Sequence, residues 1–357
     1  MNERKAINNR LVNWIRETVN RDYRDDIDLV VVYGSYLDGT ANPQSDVDCY
    51  FVPRTERGRD FARTFILAGV GYDIYPRPWK NLEEIALLQG SMQPLVGDAW
   101  ALYARDDAAA ERFRSLQQTL RESLADEGCV RKVAAGRWLE AAGLVAGLRP
   151  DMAAAEVWKL LGFIIATLAE AVALHHHDYF HSGLKRQYED LGLIPGLPPA
   201  IPDGYRAVVE AADPVAAVRA AIRLLKEVHV HLELSCTMPE AAECQDPEPG
   251  EVNAAALAGL YEEISSTFIK VRRSCAAGNH ILAFLSAVCL QDVLDEGTTL
   301  GGPSYPLLEG FHYEALDCLA ARTEQVEADL RQFIMMHGGR IKEYDSFEAF
   351  DAAGGTA

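Results

Sequence analysis

Apolar positions Ile7, Leu11, Trp14, Ile15 and Val19 recur at helical spacing, so residues 4–20 read as an amphipathic helix. The β-branched run Ile27–Tyr33 reads as a strand ending at Gly34, and after polar sequence containing Gly39, Asn42 and Pro43 a second strand runs from Asp46 to Val52. Charged residues 54–60 lead into a stretch read as helical, and Val70–Tyr75 is a third strand, closed by Pro76. Beyond about 108 the pattern changes to Ala- and Leu-rich helical periodicity over 108–125, 129–147, 153–176, 205–212 and 214–235. Met238–Val252, with three prolines, a glycine and five acidic residues, reads as a linker, and 253–294 and 312–337 as further helices. The pattern thus predicts a mixed α+β fold. A small α/β domain with a short mixed sheet occupies 1–107, an all-helical domain 108–238, a linker 239–252 and a helical extension 253–345.

Composition narrows the function classes. The chain of 357 residues is 49% hydrophobic and 24% charged, an ordinary globular balance. Its formal charge of −19 repels phosphate backbones, so duplex nucleic acid is a poor partner; the excess acidity suits solubility first and a cationic substrate second. Seven dispersed cysteines without a C-x-x-C pair argue against a disulfide framework or zinc cluster and fit a reducing cytosol. The N-terminus lacks a signal-peptide core and no uninterrupted apolar run reaches about 18 residues, so a cytoplasmic protein with no membrane span is expected.

The chemistry concentrates in VVVYGSYLDGTANPQSDVDCYFV. A strand delivers Gly34-Ser35 at a sharp turn, where glycine permits close backbone approach to a ligand, and a helix starting at Ser35 would offer free N–H groups to phosphate oxygens. After ten intervening residues come Asp46 and Asp48. In a strand, side chains two apart share a face at roughly 6.6 Å. Asp73, on the later strand, adds a third carboxylate. Three such charges repel unless a hard divalent cation lies among them, and magnesium prefers this oxygen set while leaving room for substrate phosphates.

Taken together, Gly-Ser, the ten-residue gap, Asp-x-Asp and the distal Asp resemble the nucleotidyltransferase superfamily that includes DNA polymerase beta. The short gap to Asp73 and the helical remainder are similar to the aminoglycoside and lincosamide nucleotidyltransferases. The motif likeness covers about residues 27–76, with a local echo at His177–Arg186. The resemblance implies that Gly34 and Ser35 hold the terminal phosphates of ATP as co-substrate, that Asp46 and Asp48 ligate two magnesium ions, and that Asp73 completes the metal site and helps deprotonate an acceptor hydroxyl. The implied reaction transfers AMP to a small molecule, such as an aminoglycoside-like cation, and releases pyrophosphate.

One departure stands out. Lys132–Trp138 is similar to the stretch that supplies a glutamate base and a phosphate-contacting lysine in the kanamycin enzymes. Here Arg137 takes the lysine's place and Val133 stands where the glutamate is expected. Lys185 and Arg186 either reach triphosphate or pair with Glu189 and Asp190; both readings stay open. His175, His176, His177 and His181 read as a solvated helix end, and His229 and His231 face different ways. Trp138, Trp158 and Phe163 read as packing. Three rivals remain: nucleotidylation of a protein or tRNA, synthesis of an oligonucleotide messenger, and a non-catalytic nucleotide-binding module. The intact carboxylate trio argues against the last, because unpaired charge would be gathered there without a cation.

Overall fold

The computed structural model describes residues 3–39, 42–237, 239 and 250–354; the expected linker falls largely outside them, at 240–249. The chain divides into two compact units that do not follow chain order. Unit 1 comprises residues 1–123, 258–266 and 339–357; unit 2 comprises 124–257 and 267–338.

Unit 1 opens with α1 (Glu3–Asp22), β1 (Ile27–Tyr33), the one-turn helix α2 (Ser35–Asp38) and β2 (Asp48–Pro53). There follow α3 (Glu56–Arg59), β3 (Arg63–Leu67), β4 (Val70–Pro76), α4 (Trp79–Ala86), α5 (Pro94–Gly97), β5 (Trp100–Ala104) and α6 (Asp107–Ala125). A short β6 (Glu343–Tyr344) completes a six-stranded sheet of order β5-β1-β2-β4-β3-β6. It is mixed: β2 runs parallel to β4 and β3 parallel to β6, whereas the other neighbours are antiparallel.

On one sheet face lies the core, where Leu11, Ile15 and Val19 of α1 meet Val30, Val32, Cys49, Phe51, Phe65 and Ile74. Phe350, from the last helix (Phe347–Ala352), closes this core by stacking on Phe65 at 4.4 Å. The region expected as helix after residue 60 contains β3 instead. Ala68 (φ 50°) and Gly69 (φ 74°) make a two-residue turn with both φ positive, which joins β3 to β4 as a tight hairpin.

On the opposite face, residues 258–266 cover β4. A Cβ added at Gly71 would stand 2.2 Å from Ser265 Oγ and 2.6 Å from the Glu262 carbonyl oxygen. Gly71→Ala must therefore push helical backbone off the sheet, and should cost on the order of 2–3 kcal/mol. A urea titration that reads less than about 1 kcal/mol would show the contact to be loose.

Unit 2 contains α7 (Glu127–Ala146), α8 (Ala154–His175), α9 (Gln187–Leu191), α10 (Ala200–Val209) and α11 (Pro214–His231). It also holds most of α12 (Ala254–Ala276), with α13 (His280–Thr299) and α14 (Leu316–Met336). The stretch 253–294, read as continuous from sequence, is broken at Gly278 (φ 68°), after which Asn279 caps the new helix by accepting from Leu282 N–H at 3.0 Å. By length and composition α8 could cross a membrane, but 67% of its apolar window is buried inside the structure, as in a core helix. Trp158 of α8 packs edge-on against Phe284 and Phe311, with centroids 5.7 and 5.1 Å away. Six cysteines among the described residues are free thiols.

Candidate active site

Strand register builds the site. Tyr33, the last residue of β1, pairs with Asp48, the first of β2. On the other side Cys49 pairs in parallel with Ile74, so one residue earlier Asp48 lies beside Asp73. Cys49 and Ile74 point into the core, and the side-chain alternation turns Asp48 and Asp73 to the opposite face.

Directly after Tyr33 the chain turns at Gly34 with φ 71° and ψ −156°, a region open only to glycine. A Cβ there would sit 2.1 Å from Asp48 Oδ2, so the carboxylate occupies the space a side chain would take. Ser35 then starts α2, whose single turn supplies few free N–H groups. Gly34→Ala would strain the backbone by about 1–2 kcal/mol and displace the Asp48 carboxylate. Its expected effect is a loss of pyrophosphate release larger than its loss of stability, read by comparing turnover with the thermal midpoint.

Asp46 lies in the segment before β2, and its backbone is held by a network the sequence reading missed. Asn8 Nδ2 donates to the carbonyls of Ser45 (3.0 Å) and Asp46 (3.3 Å), while Asn8 Oδ1 accepts from the Tyr72 hydroxyl (2.6 Å). Arg4 donates to the Pro43 carbonyl (3.0 Å) and to the Tyr72 hydroxyl (3.1 Å). Ser45 Oγ accepts from Asn42 N–H at 2.9 Å. Asn8 is 1% exposed and Val47 2%, so α1 fixes the loop while Val47 anchors it between the two half-buried aspartates. The available signal was a polar residue on the apolar face of α1, one turn before Leu11 and Val12.

Asp73 faces Thr64 across β3, and the Thr64 hydroxyl donates to its Oδ1 at 3.0 Å. Burial raises the Asp73 carboxyl to about 6; the Thr64 bond opposes that shift, whereas the charges of Glu263 and Asp46 reinforce it. Beside them, the Tyr33 and Tyr75 hydroxyls share a hydrogen bond of 2.9 Å. Burial first, then the Tyr75 hydroxyl and the charges of Asp48 and Asp46, drives the Tyr33 phenol far above its usual range and keeps it neutral. The three aspartates therefore sit in one electrostatic neighbourhood, with Asp48 and Asp73 adjacent.

An all-oxygen donor set of this kind, partly desolvated and mutually repelling, fits a hard divalent cation. Among the described residues, however, no three Asp, Glu, His or Cys side chains are already gathered as metal ligands. The donor chemistry fits, while the three aspartates do not already stand as joint ligands.

The remaining sequence candidates lie in unit 2. Arg137 on α7 is ion-paired with Glu140 (2.9 Å) and Glu170 (3.6 Å). Lys185 ends a 3-10 turn (Gly183–Lys185), and its neighbour Arg186 pairs with Asp190 at 3.0 Å.

Residues 12–87, which contain Gly34, Ser35, Asp46, Asp48 and Asp73, match the family model of the nucleotidyltransferase domain. The match places a nucleotidyltransferase domain within residues 12–87 of the 357-residue chain. A nucleotidyltransferase-like protein from Exiguobacterium sibiricum is a structural neighbour at 12% identity and a TM-score of 0.34, with 72% of this chain and 80% of that one covered. No curated protein matches the chain.

Proposed function

We propose that the protein transfers a nucleoside monophosphate, AMP from ATP, to a hydroxyl of a small cationic molecule of the aminoglycoside class. The observation that carries the reading is the parallel register that sets Asp48 beside Asp73, with Gly34 packed against the Asp48 carboxylate. The acceptor oxygen attacks the α-phosphorus, the bond to the bridging oxygen breaks, and pyrophosphate leaves. Asp73, a partly buried carboxylate beside Asp48, would help take the hydroxyl proton, directly or through the metal. Gly34 and Ser35 would hold the terminal phosphates, and Asp46, Asp48 and Asp73 would hold two magnesium ions. When bound, those ions neutralise the triphosphate and lower the pKa of the attacking hydroxyl. Of the cationic residues expected at phosphate, Arg137 is engaged by Glu140 and Glu170. A cationic acceptor accords with the net charge of −19, and free thiols accord with a reducing cytosol.

The test is pyrophosphate release by the full chain with magnesium and each nucleoside triphosphate, against a panel of aminoglycosides, lincosamides and candidate proteins. Release that requires a polycationic hydroxyl compound supports the proposal. Release with ATP alone, giving oligonucleotides, or label transferred to a protein, would replace the acceptor.

A further inference from the structure

Helix α1 buries a carboxamide in its apolar stripe: Asn8 is 1% exposed, one turn before the buried Leu11 and Val12. Both ends of that group are engaged. Asn8 Nδ2 donates to the carbonyls of Ser45 (3.0 Å) and Asp46 (3.3 Å), and Oδ1 accepts from the Tyr72 hydroxyl (2.6 Å). Tyr72 immediately precedes Asp73 on β4. The parallel ladder between β2 and β4 begins only at Cys49 and Ile74, so Asp46 lies beyond its end. Asn8 supplies there a link that the ladder does not. Arg4, one turn earlier, donates to the Tyr72 hydroxyl (3.1 Å) and to the Pro43 (3.0 Å) and Ala68 (2.7 Å) carbonyls. It thereby ties the same loop to the β3–β4 turn. Asn9 Oδ1 accepts from the Tyr36 hydroxyl of α2 at 2.9 Å. Adjacent asparagines of α1 thus hold the segments that carry Ser35, Asp46 and Asp73.

We infer that Asn8 is a positioning residue: its carboxamide fixes the spacing between the Asp46 segment and the Asp73 strand, and thereby the affinity of the site for magnesium. The inference rests on the reading of these aspartates as metal ligands. Magnesium takes oxygen ligands at about 2.0–2.1 Å in a near-octahedral array, so a small backbone shift at one carboxylate weakens its hold on a shared ion. Groups that orient metal ligands through hydrogen bonds typically account for about 10–100-fold of metal affinity. Packing alone gives no reason for a carboxamide at this position. An aliphatic side chain would continue the apolar face of α1, but it would leave the Ser45 and Asp46 carbonyls and the Tyr72 hydroxyl without these bonds.

The test uses the full chain and manganese alone as the probe, read by calorimetry, so that neither nucleotide nor acceptor enters. Two variants cut the brace at opposite ends. Tyr72→Phe keeps the ring that stacks on Phe65 at 5.6 Å and removes only the hydroxyl. Asn8→Ala removes the carboxamide while favouring helix. Each should weaken manganese binding by about tenfold or more. Each should also raise the magnesium concentration needed for half-maximal pyrophosphate release more than it lowers the maximal rate. Val19→Ala, about three turns along α1 in the same core, should lower the melting temperature and leave both metal readouts unchanged. Circular dichroism shows which variants are folded; if Asn8→Ala is not, Tyr72→Phe decides. Manganese binding within about twofold of wild type by either folded variant would overturn the brace and leave the aspartates' own assignment standing. A wild type that binds no manganese would overturn the metal reading, and this inference with it.

Discussion

Asp48→Asn should lower pyrophosphate release by on the order of 10³-fold while leaving the fold intact. Asparagine has nearly the same shape, and the position opens β2 at the sheet end, where Tyr33 pairs with it through backbone. Packing against Gly34 is therefore largely kept, because the atom 2.1 Å from the missing Cβ is replaced by one of similar size. What disappears is the negative charge beside Asp73. If Asp48 holds a cation that neutralises the triphosphate, its loss removes several kcal/mol of transition-state stabilisation and raises the magnesium concentration needed for half-maximal rate. Turnover and magnesium dependence, measured with a thermal melt on the same samples, separate this from unfolding. Activity above about a tenth of wild type at saturating magnesium would remove Asp48 from the metal-holding role.

The features legible in the sequence are those fixed by short-range pattern. Alternation around Val47 suggested a strand from Asp46, whereas β2 begins at Asp48 and leaves Asp46 in the segment before it; Gly34 after a β-branched run marked the sharp turn, which the fold makes with positive φ. Long-range placement was not legible. β3 passed for helix because Phe65, Ile66 and Leu67 are all buried, which erases the period of two that identifies a half-exposed strand. Its partner β6 lies far along the chain, and no local signal announces that pairing. The same holds for residues 258–266: amphipathic periodicity reveals that α12 has an apolar face but not what it covers, and the closeness of Gly71 to Ser265 appears only in three dimensions. For Arg137, a sequence likeness suggested phosphate contact, while the fold gives it two carboxylate partners. Charges separated in sequence are where sequence reading is weakest, because any cation can be claimed by an acid it cannot see.

Asp73→Asn should make the protein more stable at neutral pH while abolishing transfer. The folded carboxyl is raised from 3.8 to about 6, so the native state favours the protonated form. The stability this lends is fully present below about 4, is lost as pH rises through about 6, and above that the ionised group acts against folding. Two pH units correspond to about 3 kcal/mol, and partial exposure reduces this to about 1–2 kcal/mol. Asparagine stays neutral throughout and can still accept the Thr64 hydroxyl bond, now 3.0 Å long. The variant's melting point should therefore exceed the wild type's by roughly 2–4 °C at pH 7.5, with the gap closing towards pH 4. Magnesium should narrow the gap at pH 7.5, because a bound cation relieves the wild-type repulsion from Asp46 and Glu263 but has little to relieve in the variant. Activity should fall on the order of 10³-fold at every pH, since neither a proton acceptor nor an anionic ligand remains there. A variant that melts lower than wild type at pH 7.5, or a gap that widens on acidification, would mean that Asp73 is stabilised as a carboxylate by a partner in the fold, and its assignment as base would fall with that result.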